Sequence, residues 1–224
     1  FGVLIALVFA LSFKAAILEP FAICALMQVF FRKIEGQVPD PAWDARAIVR
    51  TAQEQGWAIS HILLTHAHFD HVGGLARLKE LTDAPIYAHP DSAPMLAQAT
   101  AAASMWGIHI DAPPPADHAL ADGDVLAIGN LRPVVLYTPG HAPGHVCFHL
   151  PADKVIFDGD VLFQGSIGRT DLPGGDFSVL MASIRDRLLP LPDDTLVLSG
   201  HGAATTIGEE RRQNPFLTDL TAEE

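Results

Sequence analysis

Residues 65–71 read Thr65-His66-Ala67-His68-Phe69-Asp70-His71 and follow directly on the apolar run Ile62-Leu63-Leu64. That run has the length of a short buried strand. Val72 to Thr82, with Leu75, Leu78 and Leu81 three apart, reads as the helix after it. Three imidazoles and a carboxylate therefore sit at a strand-to-helix junction. Alternate side chains of an extended segment point the same way, so His66 and His68 converge on one ion. Where the chain turns into the helix, Asp70 and His71 face a second position nearby, and Gly73-Gly74 allows close backbone approach. A lone histidine at a strand end is most simply a surface polar residue. Packing gives no reason for four ligand-type side chains at this spacing, and metal binding does.

Three further segments repeat the arrangement. His141 lies in Thr138-Pro139-Gly140-His141-Ala142-Pro143-Gly144-His145, a turn fixed by glycine and proline after Val134–Tyr137. Asp160 lies in Phe157-Asp158-Gly159-Asp160, just past Val155–Phe157, and His201 lies in Ser199-Gly200-His201-Gly202, past Thr195–Leu198. Each is a ligand type on a loop at a strand end, where a rigid scaffold presents its chemistry. Helices are expected at Asp44–Gly56, Ser92–Met105 and Ser178–Leu189, the first with Asp44 as its N-cap. Strands are expected at Ile86–Ala88, Val125–Ile128 and Val146–Leu150. Strands interleaved with helices throughout indicate an α/β layered fold.

Composition narrows the function. Fourteen Lys+Arg against 26 Asp+Glu give a formal charge of −12, which excludes a nucleic-acid groove, since that requires clustered positive charge. Two cysteines, Cys24 and Cys147, cannot build a disulfide framework and read as small buried hydrophobes. Eleven histidines is about twice an average share. His61, His89, His109, His118 and His149 carry no motif and read as ordinary loop or half-buried residues.

The pattern HxHxDH, with single His, Asp and His positions at these intervals, resembles the metallo-β-lactamase fold superfamily from about Asp40 to the C-terminus. The resemblance implies a four-layer αββα sandwich. Within the superfamily, Gly165-Ser166-Ile167-Gly168-Arg169-Thr170-Asp171-Leu172-Pro173-Gly174-Gly175-Asp176 is similar to the short bacterial glyoxalase II-like hydrolases. So is the ending Glu210-Arg211-Arg212-Gln213-Asn214-Pro215-Phe216-Leu217. The resemblance implies that His66, His68 and His141 hold one metal, that Asp70, His71 and His201 hold a second, and that Asp160 bridges them. It implies two divalent ions, zinc first, with iron or manganese as the other choices. They would share a hydroxide that attacks a small-molecule thioester or ester, such as S-lactoylglutathione. Asp70 would also orient that hydroxide. Arg169 is similar to the basic position that meets the glutathione moiety, with pairing to Asp171 as its structural alternative. His145 and Asp158 are expected to support ligands by hydrogen bonding.

The first 39 residues depart from the family. Phe1–Phe13 is almost wholly apolar, and the relatives' glycine-rich turn reads Asp40-Pro41-Ala42-Trp43-Asp44 here. Neither Phe1–Phe13 nor the second apolar run, Ala15–Phe31, reaches the length of a bilayer span, and Pro20 beside Glu19 interrupts their fusion into one helix. Degraded first strands are the leading reading, a truncated or frameshifted product would look like this, and a signal or membrane-anchoring remnant is the alternative. A hydrolase domain is expected over residues 40–224, located in the cytoplasm. Only 23 residues follow His201, too few for the helical domain of full-length glyoxalase II. That implies a substrate held less tightly or not based on glutathione. Two other functions compete: a persulfide dioxygenase-like oxidoreductase with one iron on two His and one Asp, and a non-catalytic metal-binding scaffold. A β-lactamase is disfavoured by the Arg169 loop.

Overall fold

The computed structural model describes residues 23–26, 44–54 and 56–218. The apolar Phe1–Phe13 run and the Asp40–Trp43 turn lie outside the described residues, as does the side chain of Cys24. The elements in chain order are β1 (Ile23–Leu26), α1 (Ala45–Glu54), β2 (Ile59–Leu63), α2 (Phe69–Val72), α3 (Leu75–Thr82), β3 (Ile86–Ala88), α4 (Ala93–Met105), β4 (His118–Ala119) and β5 (Val134–Tyr137). They continue with β6 (Val146–Leu150), β7 (Val155–Gly159), β8 (Leu162–Phe163), β9 (Ser166–Ile167), α5 (Phe177–Ser183), β10 (Leu196–Ser199), β11 (Thr205–Thr206) and α6 (Ile207–Gln213). Asp44 caps α1, its Oδ1 accepting from the Ala47 amide at 2.9 Å.

Two sheets form. One runs β1-β2-β3-β4, parallel throughout; the other runs β11-β10-β7-β6-β5. Successive residues of one strand enter different cores because strand side chains alternate. Ile62 and Leu64 face the helices with Leu75, Leu78, Leu96 and Ala99, while Leu63 between them faces the second sheet. Phe148, Phe157 and Leu198 fill the space between the sheets, and their neighbours Cys147, Ile156 and Val197 pack under α5 and α6 with Leu180, Ile184 and Ile207. Three stacked cores make four layers, helix, sheet, sheet, helix, as expected.

Three local expectations change. The helix over Val72–Thr82 divides at Gly73-Gly74 into α2 and α3, because glycine gives the helix no propensity there. The one over Ser178–Leu189 starts at Phe177, where Asp176 accepts from the Val179 amide, and widens into a π turn at Ile184–Leu188. Val125–Ile128 is not a strand but two isolated bridges, to Val134 and Leu131. Pro133 on the facing segment has no N–H to give a ladder.

Direction positions the site. β5 and β7 both run antiparallel to β6, and β10 runs parallel to β7. The chain therefore leaves β5, β7 and β10 at one edge of the second sheet. The Val146 amide donates to Thr65 O at 2.8 Å, so the end of β2 in the first sheet is tied to that same edge.

The C-terminal helix braces the loop beyond β7. Glu210, 2% exposed, accepts from the Gly165 amide and from Asn214 Nδ2, each at 2.8 Å, and from Thr205 Oγ1 at 2.6 Å. Asn214 Nδ2 also donates to Ser166 O at 2.9 Å. Truncation of Glu210 would strand these donors in the interior, where each costs about 1–3 kcal/mol. We expect Glu210→Ala to lower unfolding stability by about 3 kcal/mol, read as a lower urea midpoint at an unchanged slope.

Candidate metal centre

All seven sequence-predicted ligands meet at the common edge. Three overlapping groups have their donor atoms within 4.8 Å of one another: His66, His68 and His141; His66, His71 and Asp160; and Asp70, His71 and His201. The middle group takes one member from each of the other two and adds Asp160. Contacts between the groups are close. His141 Nε2 lies 2.9 Å from His68 Nδ1, and His201 Nε2 lies 3.3 Å from His71 Nε2, 3.3 Å from Asp70 Oδ2 and 3.4 Å from Asp160 Oδ2.

Local chemistry aims two of the rings. His66 Nδ1 is 3.1 Å from Thr65 Oγ1, which leaves Nε2 turned inward. His141 Nδ1 donates to Arg169 O at 2.8 Å and likewise frees its Nε2. Ser199 Oγ donates to His201 O at 3.0 Å, and the Gly200 amide donates to Gly159 O at 2.7 Å, fixing the loop after β10 against the one after β7. A Cβ at Gly200 would stand 2.3 Å from Asp160 Oδ1, so this position admits only glycine.

His145, Asp158, Arg169 and Asp171 stand outside the donor groups. His145 is fully buried and bonds to the backbone of a ligand rather than to His141: its Nε2 accepts from the Asp160 amide at 3.1 Å, and its Nδ1 lies 3.0 Å from Thr138 Oγ1. Gly159, at φ 58°, lies against that ring, and a Cβ there would be 2.5 Å from Nε2. Asp158 Oδ2 accepts from the Leu162 amide at 2.9 Å, closing the turn that presents Asp160. Burial pushes the Asp158 carboxyl well above the usual carboxylate range. Arg169 and Asp171 form an exposed bidentate pair, Nε to Oδ1 at 2.7 Å and Nη2 to Oδ2 at 2.8 Å.

The sequence reading did not single out Thr65, Thr138, Ser199 or Gly200 as supports. The usable signal was a hydroxyl or glycine immediately beside each ligand segment. Cys147 is buried as expected, and burial raises its thiol pKa well above its usual value. Among the remaining histidines, His61 and His118 both stack on Tyr87, and His89 stacks on Tyr137.

The donor set fits metal. His66 Nε2 and Asp160 Oδ1 are buried polar atoms without a hydrogen-bond partner, and His71 Nε2 stands 3.4 Å from that same Oδ1 without aligning as a donor. Native interiors seldom leave such atoms unmatched, and imidazole with carboxylate is the ligand chemistry of zinc, iron and manganese.

Residues 38–201 match the model of the metallo-beta-lactamase superfamily. The chain belongs to that superfamily. It is 41% identical over 180 residues to hydroxyacylglutathione hydrolase GloC of Haemophilus influenzae, covering 80% of this chain and 85% of that protein. The crystal structure of TTHA1623 in a di-iron-bound form is similar with a TM-score of 0.72 at 45% identity, over 82% of this chain and 87% of that one. The crystal structure of BLEG-1, described as a B3 metallo-beta-lactamase, is similar with a TM-score of 0.73 at 44% identity, over 78% and 85%. No helix among the described residues is long and apolar enough to cross a membrane.

The charges of the centre act on one another at short range. Burial would raise the Asp160 carboxyl, but His71 and the hydrogen bond from His201 outweigh it and hold the group well below the carboxylate range. Burial lowers His68 to about 4, with His141 adding to the effect. Burial would lower His201 too, yet hydrogen bonds to Asp160 and Asp70 carry it up to about 10. A histidine depressed in the folded state costs stability below its unfolded value of 6.5, and one that is raised loses its contribution as pH climbs from 6.5 through about 10. Chelator-treated protein is expected to be most stable near neutrality and to weaken in both directions. Urea titrations at several pH values check this, and in His201→Gln the alkaline weakening should largely disappear.

Proposed function

We propose that the chain is a dinuclear metal-dependent hydrolase of glyoxalase II type that cleaves a thioester such as S-lactoylglutathione, with residues 40–224 as its catalytic domain. The observation that carries this reading is the overlap of the donor groups, in which Asp160 joins one member of each of two trios. His66, His68 and His141 would hold one ion, Asp70, His71 and His201 the other, and Asp160 both. Zinc is our first choice; iron, as named for one relative, or manganese also suits these donors. Bound ions would supply an acidified water and positive charge for the oxygen that becomes negative at the carbonyl.

The chain's own groups do the rest. Asp160, with its side chain 8% exposed, is enclosed by imidazoles, whereas Asp70 is 29% exposed and is the carboxylate an entering water meets. Asp70 therefore orients the water and takes part in holding its proton. Cys147 is buried and its thiol is held protonated, so it supplies no nucleophile. Arg169 offers a planar fork to a carboxylate. Its present partner Asp171 is an exposed side chain, and exposed pairs are worth little, so a substrate carboxylate can take its place.

A second reading has a specific basis, the 44% identity to a protein described as a B3 metallo-beta-lactamase. Metal analysis of the purified chain together with glutathione thioesters, a chromogenic cephalosporin and oxygen uptake separates the candidates. We expect two ions per chain and thioester hydrolysis without oxygen consumption. One iron with oxygen uptake would mean an oxidoreductase, β-lactam opening alone would favour the second reading, and no turnover would leave a scaffold. Asp160→Ala should cost more than the roughly 10–100-fold typical of outer-sphere partners and should disturb both ions. His201→Ala should leave about one.

Arg169→Ala should raise KM for glutathione thioesters roughly tenfold and change a thioester lacking the glutathione carboxylates far less. Equal effects on the two substrates would assign Arg169 to bracing the loop with Asp171.

A further inference from the structure

An apolar surface that no ligand role accounts for reaches the donor segment through Phe69. Phe69 sits between His68 and Asp70 in the chain, one residue from each, and its half-buried ring packs toward α4. The Trp106 ring lies 6.5 Å from it, centroid to centroid, at 37°. The end of α4 sets this arrangement. The Trp106 and Ile108 amides both return to Ala103 O, Gly107 takes the left-handed φ of 71°, and the chain reverses with Trp106 outside. Ile110 then turns back into the core at 3% exposure, while Met105 is left 87% exposed, Trp106 63% and Ile108 36%. Residues 104–110 (Ser104-Met105-Trp106-Gly107-Ile108-His109-Ile110) carry no acidic or basic side chain apart from His109, in a chain whose formal charge is −12. Exposed large apolar groups that gather in one place, away from a protein's charges, mark a binding surface. Met and Trp are the side chains best suited to an adaptable apolar contact.

We propose that Phe69, Met105, Trp106 and Ile108 form the wall against which the acyl group of the substrate lies, so that the chain prefers thioesters of apolar acyl or aryl acids over those of small polar ones. The wall begins at Phe69, between two residues of the donor groups, so a substrate whose carbonyl lies over those donors has one substituent beside it. The Arg169 loop is the charged neighbour of the centre and suits the thiol portion. This assignment rests on the hydrolase reading and deepens it. The reaction is unchanged: water adds across the acyl C–S bond, giving the carboxylic acid, which loses its proton, and the free thiol, which takes the hydrogen.

The test uses the metal-loaded full chain and the acetyl, butyryl and hexanoyl thioesters of one thiol. Four added methylenes in partial contact with the wall should raise kcat/KM for hexanoyl over acetyl by roughly tenfold. In Trp106→Ala that ratio should fall to about two, and Trp106→Phe should restore most of it, as an effect on folding would not. Independently of turnover, hexanoate should shift the tryptophan emission of the wild type to shorter wavelength and leave that of Trp106→Phe unchanged. A hexanoyl-to-acetyl ratio near one in the wild type, or one unchanged in Trp106→Ala, overturns the proposal. So does conversion of a dimer to a monomer by Trp106→Ala with the ratio unchanged, which would make the patch an interface between copies. If the wild type binds metal and hexanoate yet hydrolyses no thioester, the hydrolase reading fails while the apolar site stands.

Discussion

The carboxylate of Asp160 has to be held inside the protein among imidazoles, and most of the architecture around it can be understood from that requirement. An isolated buried carboxylate is costly enough to displace its own protonation or the fold around it. Here His71 and His201 face it, and its own backbone amide is held by His145. His145 is fixed in turn by Thr138. Two buried atoms left unmatched there, His66 Nε2 and Asp160 Oδ1, belong to the donor groups.

Such a centre requires segments distant in sequence to end at one point. The parallel relation of β7 and β10, and the shared antiparallel partner of β5 and β7, bring three loops to one edge of the second sheet. The Val146–Thr65 hydrogen bond brings the first sheet to the same edge. Glycines keep the loops in contact: at Gly200 and Gly159 a side chain would collide with Asp160 or His145. The helices cover the outer faces, and α6 has the added task of pinning the loop after β7 through Glu210 and Asn214. That loop carries the Arg169 carbonyl that orients His141. Helix α6 is therefore connected to a ligand by two hydrogen-bonded steps, from Glu210 and Asn214 to the loop after β7 and from that loop to His141, which gives a physical role to the Glu210–Leu217 segment.

The surroundings of the centre are unequal in chemistry. On the side of α2 and α4 the neighbours are Phe69 and Trp106. On the side of the Gly165–Gly175 loop there is a guanidinium, already matched to a carboxylate. An asymmetric substrate, apolar at one end and anionic at the other, is the kind such surroundings distinguish.

The seven donor residues were legible in the sequence because ligand chemistry needs specific atoms, and the motif around residues 66–71 has no use in a core. The layers were legible as well, since Ile62, Leu63 and Leu64 alternate between two cores and a run apolar on both faces implies cover on both faces. Local breaks were less so: Gly73-Gly74 divided a helix, and Pro133 removed a strand by withholding a ladder donor from the facing chain. Only the tertiary structure decided that His145 bonds to the Asp160 backbone rather than to His141, and that the Arg169 carbonyl holds His141. It also decided that Trp106 lies beside Phe69. The reason is one of range. Spacing within a segment is set by local backbone geometry and can be read from the chain, whereas a contact between residues 15 to 130 positions apart exists only once the sheets have fixed where each loop ends.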